Sequence, residues 1–126
     1  MSKLCLNSRD ELIIIQLNRV AYFQAQGNYT KLCYIHGEEQ LLMIGLSKAE
    51  EYLRNALPKE GPTPFIRLGR SLIINQSYLA DINILKQKVV LSDFHGNQHS
   101  VAVPKPLLKQ YKEKINEFYL TKYNAD

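Results

Sequence analysis

Apolar and polar residues alternate along this chain in short runs, the two-residue period of half-buried β-strands. Residues 12–16 form the first run, apolar and β-branched, and residues 19–24 the second, after a break at Leu17-Asn18. Gln26-Gly27-Asn28 then reads as a turn. Across 29–35 the alternation puts Tyr29, Lys31, Cys33 and Ile35 on one face and Thr30, Leu32 and Tyr34 on the other. A second turn at His36-Gly37-Glu38 leads to a strand over 40–44. Connections this short exclude parallel crossovers, so the runs predict an antiparallel meander.

The period changes once in the middle and once at the end. Ser47-Lys48-Ala49-Glu50 fits a capping box, in which the serine hydroxyl accepts from a free amide and the glutamate reaches back to the cap. Leu46, Ala49, Tyr52, Leu53 and Leu57 follow at helical spacing, and Pro58 ends the helix. Residues 59–64 read as a loop. Further strands are predicted over 65–68, 71–75, 79–85, 87–92 and 99–103, with a polar turn over 93–98. Pro104 starts a second helix, where its missing amide proton costs nothing. Leu107, Leu108, Tyr111, Ile115, Phe118 and Tyr119 line one side of that helix, and Lys105, Lys109 and Lys112 share a neighbouring face. The predicted fold is mostly β: small antiparallel sheets with about two short helices packed on their faces. Residues 1–10 read as a loose N-terminal segment and 11–122 as one domain.

Composition changes this picture little. A chain of 126 residues suits one core. With 45% hydrophobic and 22% charged residues, it has enough apolar surface to offset chain entropy. No apolar run approaches the roughly 18 residues of a membrane helix. Asp10-Glu11 before the apolar stretch is wrong for a secretory signal, so a cytoplasmic address without a membrane partner is expected. Cys5 and Cys33 form no CxxC pair and read as reduced thiols. The net charge of +4 is a mild basic bias, and the placement of those charges matters more than their sum.

Catalytic constellations are missing. His95 and His99 flank a hairpin tip with no cysteine or carboxylate cluster to complete a metal shell, and His36 sits in a turn. There is no nucleophile elbow, Walker loop or dinucleotide fingerprint. No enzyme activity, metal, cofactor or small-molecule substrate is therefore expected. Three groups of basic and hydrogen-bonding residues stand out instead. In "FIRLGRSLIIN", Arg67 and Arg70 bracket Gly69, and a turn there would project Arg70 and Ser71 at a loop tip suited to phosphate oxygens and guanine edges. "AQGNYTKL" offers Asn28, Thr30 and Lys31 around a glycine turn. Lys105 stands at a helix start, with Lys109 beyond it. Taken singly, each group is better read as an ordinary structural feature: a surface arginine paired with a carboxylate, a plain hairpin turn, a solvated lysine face.

Together they resemble one family. "VAYFQAQGNYTKLCYIHGEEQLLMIGLSKAEEYL", "FIRLGRSLIINQSYLADI" and "VVLSDFHGNQHSVAVPKPLLKQY" are similar, in this order and spacing, to the LytTR domain of bacterial transcription regulators. That resemblance implies small antiparallel sheets that bind double-stranded DNA through loops entering successive major grooves, with two copies on repeated half-sites. It implies contacts from Asn28, Thr30 and Lys31, from Arg70 and Ser71, and from Lys105. Arg67 also matches a family position, with a structural role as its alternative, and Lys109 joins the expected contacts from its place on the lysine face of the last helix. Gly69 stands where the family often has histidine, and Pro104 and Pro106 take positions that are often polar or basic. With about ten residues before the first strand, a free-standing domain without a receiver is expected. The alternative is a protein-interaction adaptor on the same fold, with weak or no DNA binding.

Overall fold

The computed structural model describes residues 3–59 and 63–118. Tyr119 and the domain end expected at 122 lie outside the described residues, as do 60–62 of the predicted loop. The chain opens with β1 (Lys3–Asn7), which pairs antiparallel with β2 (Leu12–Gln16). The segment expected to be loose is therefore a strand in its middle. Leu4 and Leu6 face the core while Lys3, Cys5 and Asn7 face out, the alternation of a ribbon with one covered side.

A 3-10 turn at Leu17–Arg19 leads into β3 (Val20–Gln26), followed by β4 (Tyr29–Tyr34) and β5 (Glu39–Leu42). Next come α1 (Leu46–Ala56), β6 (Phe65–Leu68) and β7 (Leu72–Asn75). After a second 3-10 turn at Gln76–Tyr78 follow β8 (Leu79–Asn83), β9 (Lys88–Ser92), β10 (Gln98–Ala102) and α2 (Lys105–Phe118). The fold is mostly β, with small antiparallel sheets and two helices, as the sequence predicts; among the described residues the sheets number three. The predicted meander holds for β3, β4 and β5, and again for β8, β9 and β10. It fails at the other edge of β3, where β7 pairs, giving a five-stranded sheet in the order β5-β4-β3-β7-β6. β3 is apolar enough on both faces to occupy the centre of that sheet, which local periodicity cannot reveal.

Both faces of the central sheet are covered. On one, Phe23, Leu32, Leu42 and Ile73 pack with Leu46 and Leu53 of α1 and with Leu4 and Ile15 of the β1–β2 ribbon. On the other, Tyr22, Cys33, Leu72 and Ile74 pack with Val89, Leu91 and Val101 of the three-stranded sheet and with Leu108 and Tyr111 of α2. Each fully buried Leu, Ile or Phe contributes about 1.5–3 kcal/mol. A bulge between Val20 and Tyr22 turns both Ala21 and Tyr22 towards the second core.

α1 corrects one expectation. Its N-cap is Gly45, with no side-chain cap hydrogen bond. Ser47 thus lies inside the first turn, already helical, and the capping box does not form. Ser47 and Glu50 both turn to Arg67 across the sheet instead.

Candidate nucleic-acid interface

Antiparallel pairing brings two loop tips together at one end of the central sheet. β3 ends where β7 begins, and the Ala25 amide donates to the Ser71 carbonyl at 2.8 Å. The β3–β4 tip, Gly27-Asn28, therefore emerges beside the β6–β7 turn, Gly69-Arg70-Ser71. Gly27 has φ +62°, the left-handed region that a two-residue hairpin demands and glycine adopts freely. Asn28 is exposed on this tip.

The link from β5 to α1 passes over the same end. A Cβ on Gly45 would lie 3.6 Å from the Asn28 carbonyl. Thr30, expected among the DNA contacts, is 0% exposed, and its Oγ1 donates to the Ile44 carbonyl at 2.9 Å. Its strand position explains this: residue 30 shares a face with Leu32, and that face is core. Lys31 points the other way and is half-buried; its Nζ lies 3.6 Å from Glu39 and 5.8 Å from the Tyr22 ring centre. Tyr29, Leu41 and Met43 remain exposed on the neighbouring edge of the sheet.

The β6–β7 turn is held by Arg67. Its Nε donates to the Gly69 carbonyl at 2.9 Å and its Nη2 to the Arg70 carbonyl at 3.0 Å. Nη1 donates to Glu50 Oε1 at 3.0 Å and to Ser47 Oγ at 3.3 Å. Arg67 points to the α1 face because Phe65 and Ile73 do, as register dictates. Arg70 takes the opposite condition. It is exposed, and among the described residues its side chain has no hydrogen bond or ion pair. Ser71 is exposed beside it.

α2 begins against this turn. Leu107 approaches Gly69 so closely that a Cβ there would lie 2.7 Å from Leu107 Cδ1. Lys105, Lys109 and Lys112 are exposed, while Leu108 and Tyr111 on the neighbouring face of the helix are buried. Of the residues picked out in the sequence, then, Asn28, Arg70 and Ser71 gather at one exposed end, next to the first turn of α2. Thr30 and Arg67 lie beneath them, and Lys31 sits one row back. Ser47 and Glu50 complete the support, a role their local capping pattern does not reveal.

The histidines serve structure. His99 Nε2 bonds the Ile35 carbonyl at 2.9 Å, and its Nδ1 faces Cys33 Sγ at 3.9 Å, joining β10 to the central sheet. Burial pushes the Cys33 thiol and the Tyr22 phenol up from their ordinary values. His95 Nδ1 lies 2.7 Å from the Asp93 carbonyl, within the β9–β10 turn. The described residues contain no group of three metal-ligating side chains. None of their helices is long and apolar enough to cross a membrane.

The family model for the LytTr DNA-binding domain matches residues 10–116. The chain belongs to the LytTR family. Among solved structures it is similar to the LytTr DNA-binding domain of a Bacillus cereus protein, at 21% identity and a TM-score of 0.56. That alignment covers 96% of this chain and 99% of the other. No curated protein matches it. In this LytTR domain the structure supplies the reason glycine suits position 69. The turn is left-handed there (φ +74°), and Leu107 occupies the space a side chain would need.

Proposed function

We propose that this LytTR domain is a sequence-specific transcription regulator that reads the major groove with its loop tips. Arg70 and Asn28 would contact base edges, with Ser71 beside them; Lys105 and Lys109 would contact phosphates. The observation that carries this reading is Arg70: an exposed guanidinium with no acid partner among the described residues, on a braced turn one strand away from Asn28. A guanidinium can match the O6 and N7 of guanine in two parallel bonds, and from a braced turn only the Arg70 side chain has to be ordered to make them. Lys31 adds charge near the tip, shared with Glu39. Thr30 acts from inside, by fixing the Ile44 carbonyl. Two copies on repeated half-sites would double the contacts and supply the remaining specificity.

The test is selection from fragmented genomic DNA with the purified chain. Enrichment of a repeated motif is expected, with affinity falling steeply as salt rises. Arg70→Ala should lower affinity for the enriched motif by about 1–3 kcal/mol. Equal binding to all fragments, unchanged by Arg70→Ala, counts against the reading. A second reading, an adaptor that grips another protein, draws on the outer face of the β1–β2 ribbon, where Leu12 is 57% and Ile14 56% exposed beside Cys5. Absence of any motif enrichment would favour it.

A further inference from the structure

We infer that Arg67 is a positioning residue for Arg70, and that the Arg67–Glu50 pair sets the affinity of this domain for DNA without touching DNA. The inference rests on the reading of Arg70 given above. Its basis is where the Arg67 donors go. The guanidinium bonds the carbonyls of Gly69 and Arg70, the two residues at the crest of the turn, and reaches Glu50 and Ser47 in the first turns of α1. Every one of its nitrogens is engaged inside the chain, and its side chain is only 23% exposed. Four of its five N–H donors are used in this way, so a phosphate or base could take more than one bond from Arg67 only by breaking these.

What Arg67 does is tie a short turn to a rigid helix. α1 is itself locked to the sheet by buried Leu46, Ala49 and Leu53. Through Glu50, that rigidity passes to the peptide units on either side of the Arg70 Cα. Leu107 presses on the same turn from the other side. Arg70 therefore starts from a fixed backbone, and the ordering cost of binding falls on its side chain alone. Glu50 also lies 3.9 Å from Arg54, one turn further along α1, which keeps its carboxylate directed along this face.

The discriminating measurement is a double-mutant cycle on DNA affinity at fixed salt, using the full chain and the fragment it selects. Arg67→Met removes the donors at similar volume. Glu50→Gln keeps the turn contacts and weakens only the anchor. With Arg70 present, Arg67→Met is expected to weaken specific binding about tenfold, and Glu50→Gln by a smaller factor in the same direction. In an Arg70→Ala background both effects should shrink below about twofold, and the salt slope should not respond to Arg67→Met. Thermal melts show whether each variant folds; if Arg67→Met does not, the Glu50→Gln cycle decides alone. Equal weakening with and without Arg70 would overturn the inference, because Arg67 would then act on DNA directly or on the whole fold. No weakening in either background would overturn it as well. If Arg70→Ala by itself binds like the parent chain, the DNA-facing reading of Arg70 fails first, and that single variant shows it.

Discussion

Leu107 stands where a side chain on Gly69 would have to go, with Cδ1 only 2.7 Å from an ideal Cβ. The turn at Gly69 is also left-handed, at φ +74°. Two penalties thus meet at one residue. Gly69→Ala should destabilise the domain by about 1–2 kcal/mol from backbone strain, with an added cost for moving Leu107. Urea unfolding of Gly69→Ala, Leu107→Ala and the double variant tests this. The double variant should lose less than the sum of the two; strict additivity would mean that the contact carries no energy.

Thr30 makes a different prediction from the one its place in the family motif suggests. Thr30→Val keeps its shape and removes the bond to the Ile44 carbonyl. That should cost about 1–2 kcal/mol of stability, seen as a lower urea midpoint at an unchanged slope. A variant that loses DNA affinity and no stability would show the hydroxyl reaching outwards after all.

The exposed lysines of α2 carry the electrostatic part of the proposal. Lys109→Ala should weaken binding to all sequences alike and flatten the plot of log affinity against log salt by about one unit. An unaltered slope would remove Lys109 from the interface.

Asp93 organises the β9–β10 turn. Its carboxylate accepts from the Asn97 side chain at 2.8 Å and from the His95 and Asn97 amides at 2.8 and 3.1 Å. Those bonds hold its pKa below the ordinary carboxylate value. The unfolded chain then takes up the proton more readily. The stabilisation is therefore present above the ordinary carboxylate range and fades as pH falls through it. Melting curves of the parent and Asp93→Asn should differ at neutral pH and converge only as pH falls below the ordinary carboxylate value and through the lower folded-state one. A gap that does not respond to pH would refute the assignment.

Most strands were legible because their alternation is local. Residues 29–35 carry it cleanly, and the strand there spans Tyr29–Tyr34; residues 12–16 read as a strand from a short apolar, β-branched run, and the strand found there has those bounds. The β1 strand was missed because KLCLN is short and gains its stability only from the partner ribbon. Its signal, Leu4 and Leu6 between outward residues, was nonetheless present. The site was legible in part. Alternation had already put Thr30 on the face of Leu32, and the burial of that face decides its role. Arg67 could not be resolved the same way. Its partners Ser47 and Glu50 are distant in sequence, and the local capping pattern offered them a competing use that tertiary packing overrode. Nor does any local pattern join β3 to β7, the pairing that brings the two tips together.

That pairing has a mechanical result. The Ala25–Ser71 hydrogen bond sits at the root of both tips, so one cannot spread from the other without unzipping the sheet from its end. The tips form a fork of fixed gauge. Any surface that accepts both must present its own features at that spacing or be deformed to do so, since the strain of a mismatch falls on the partner.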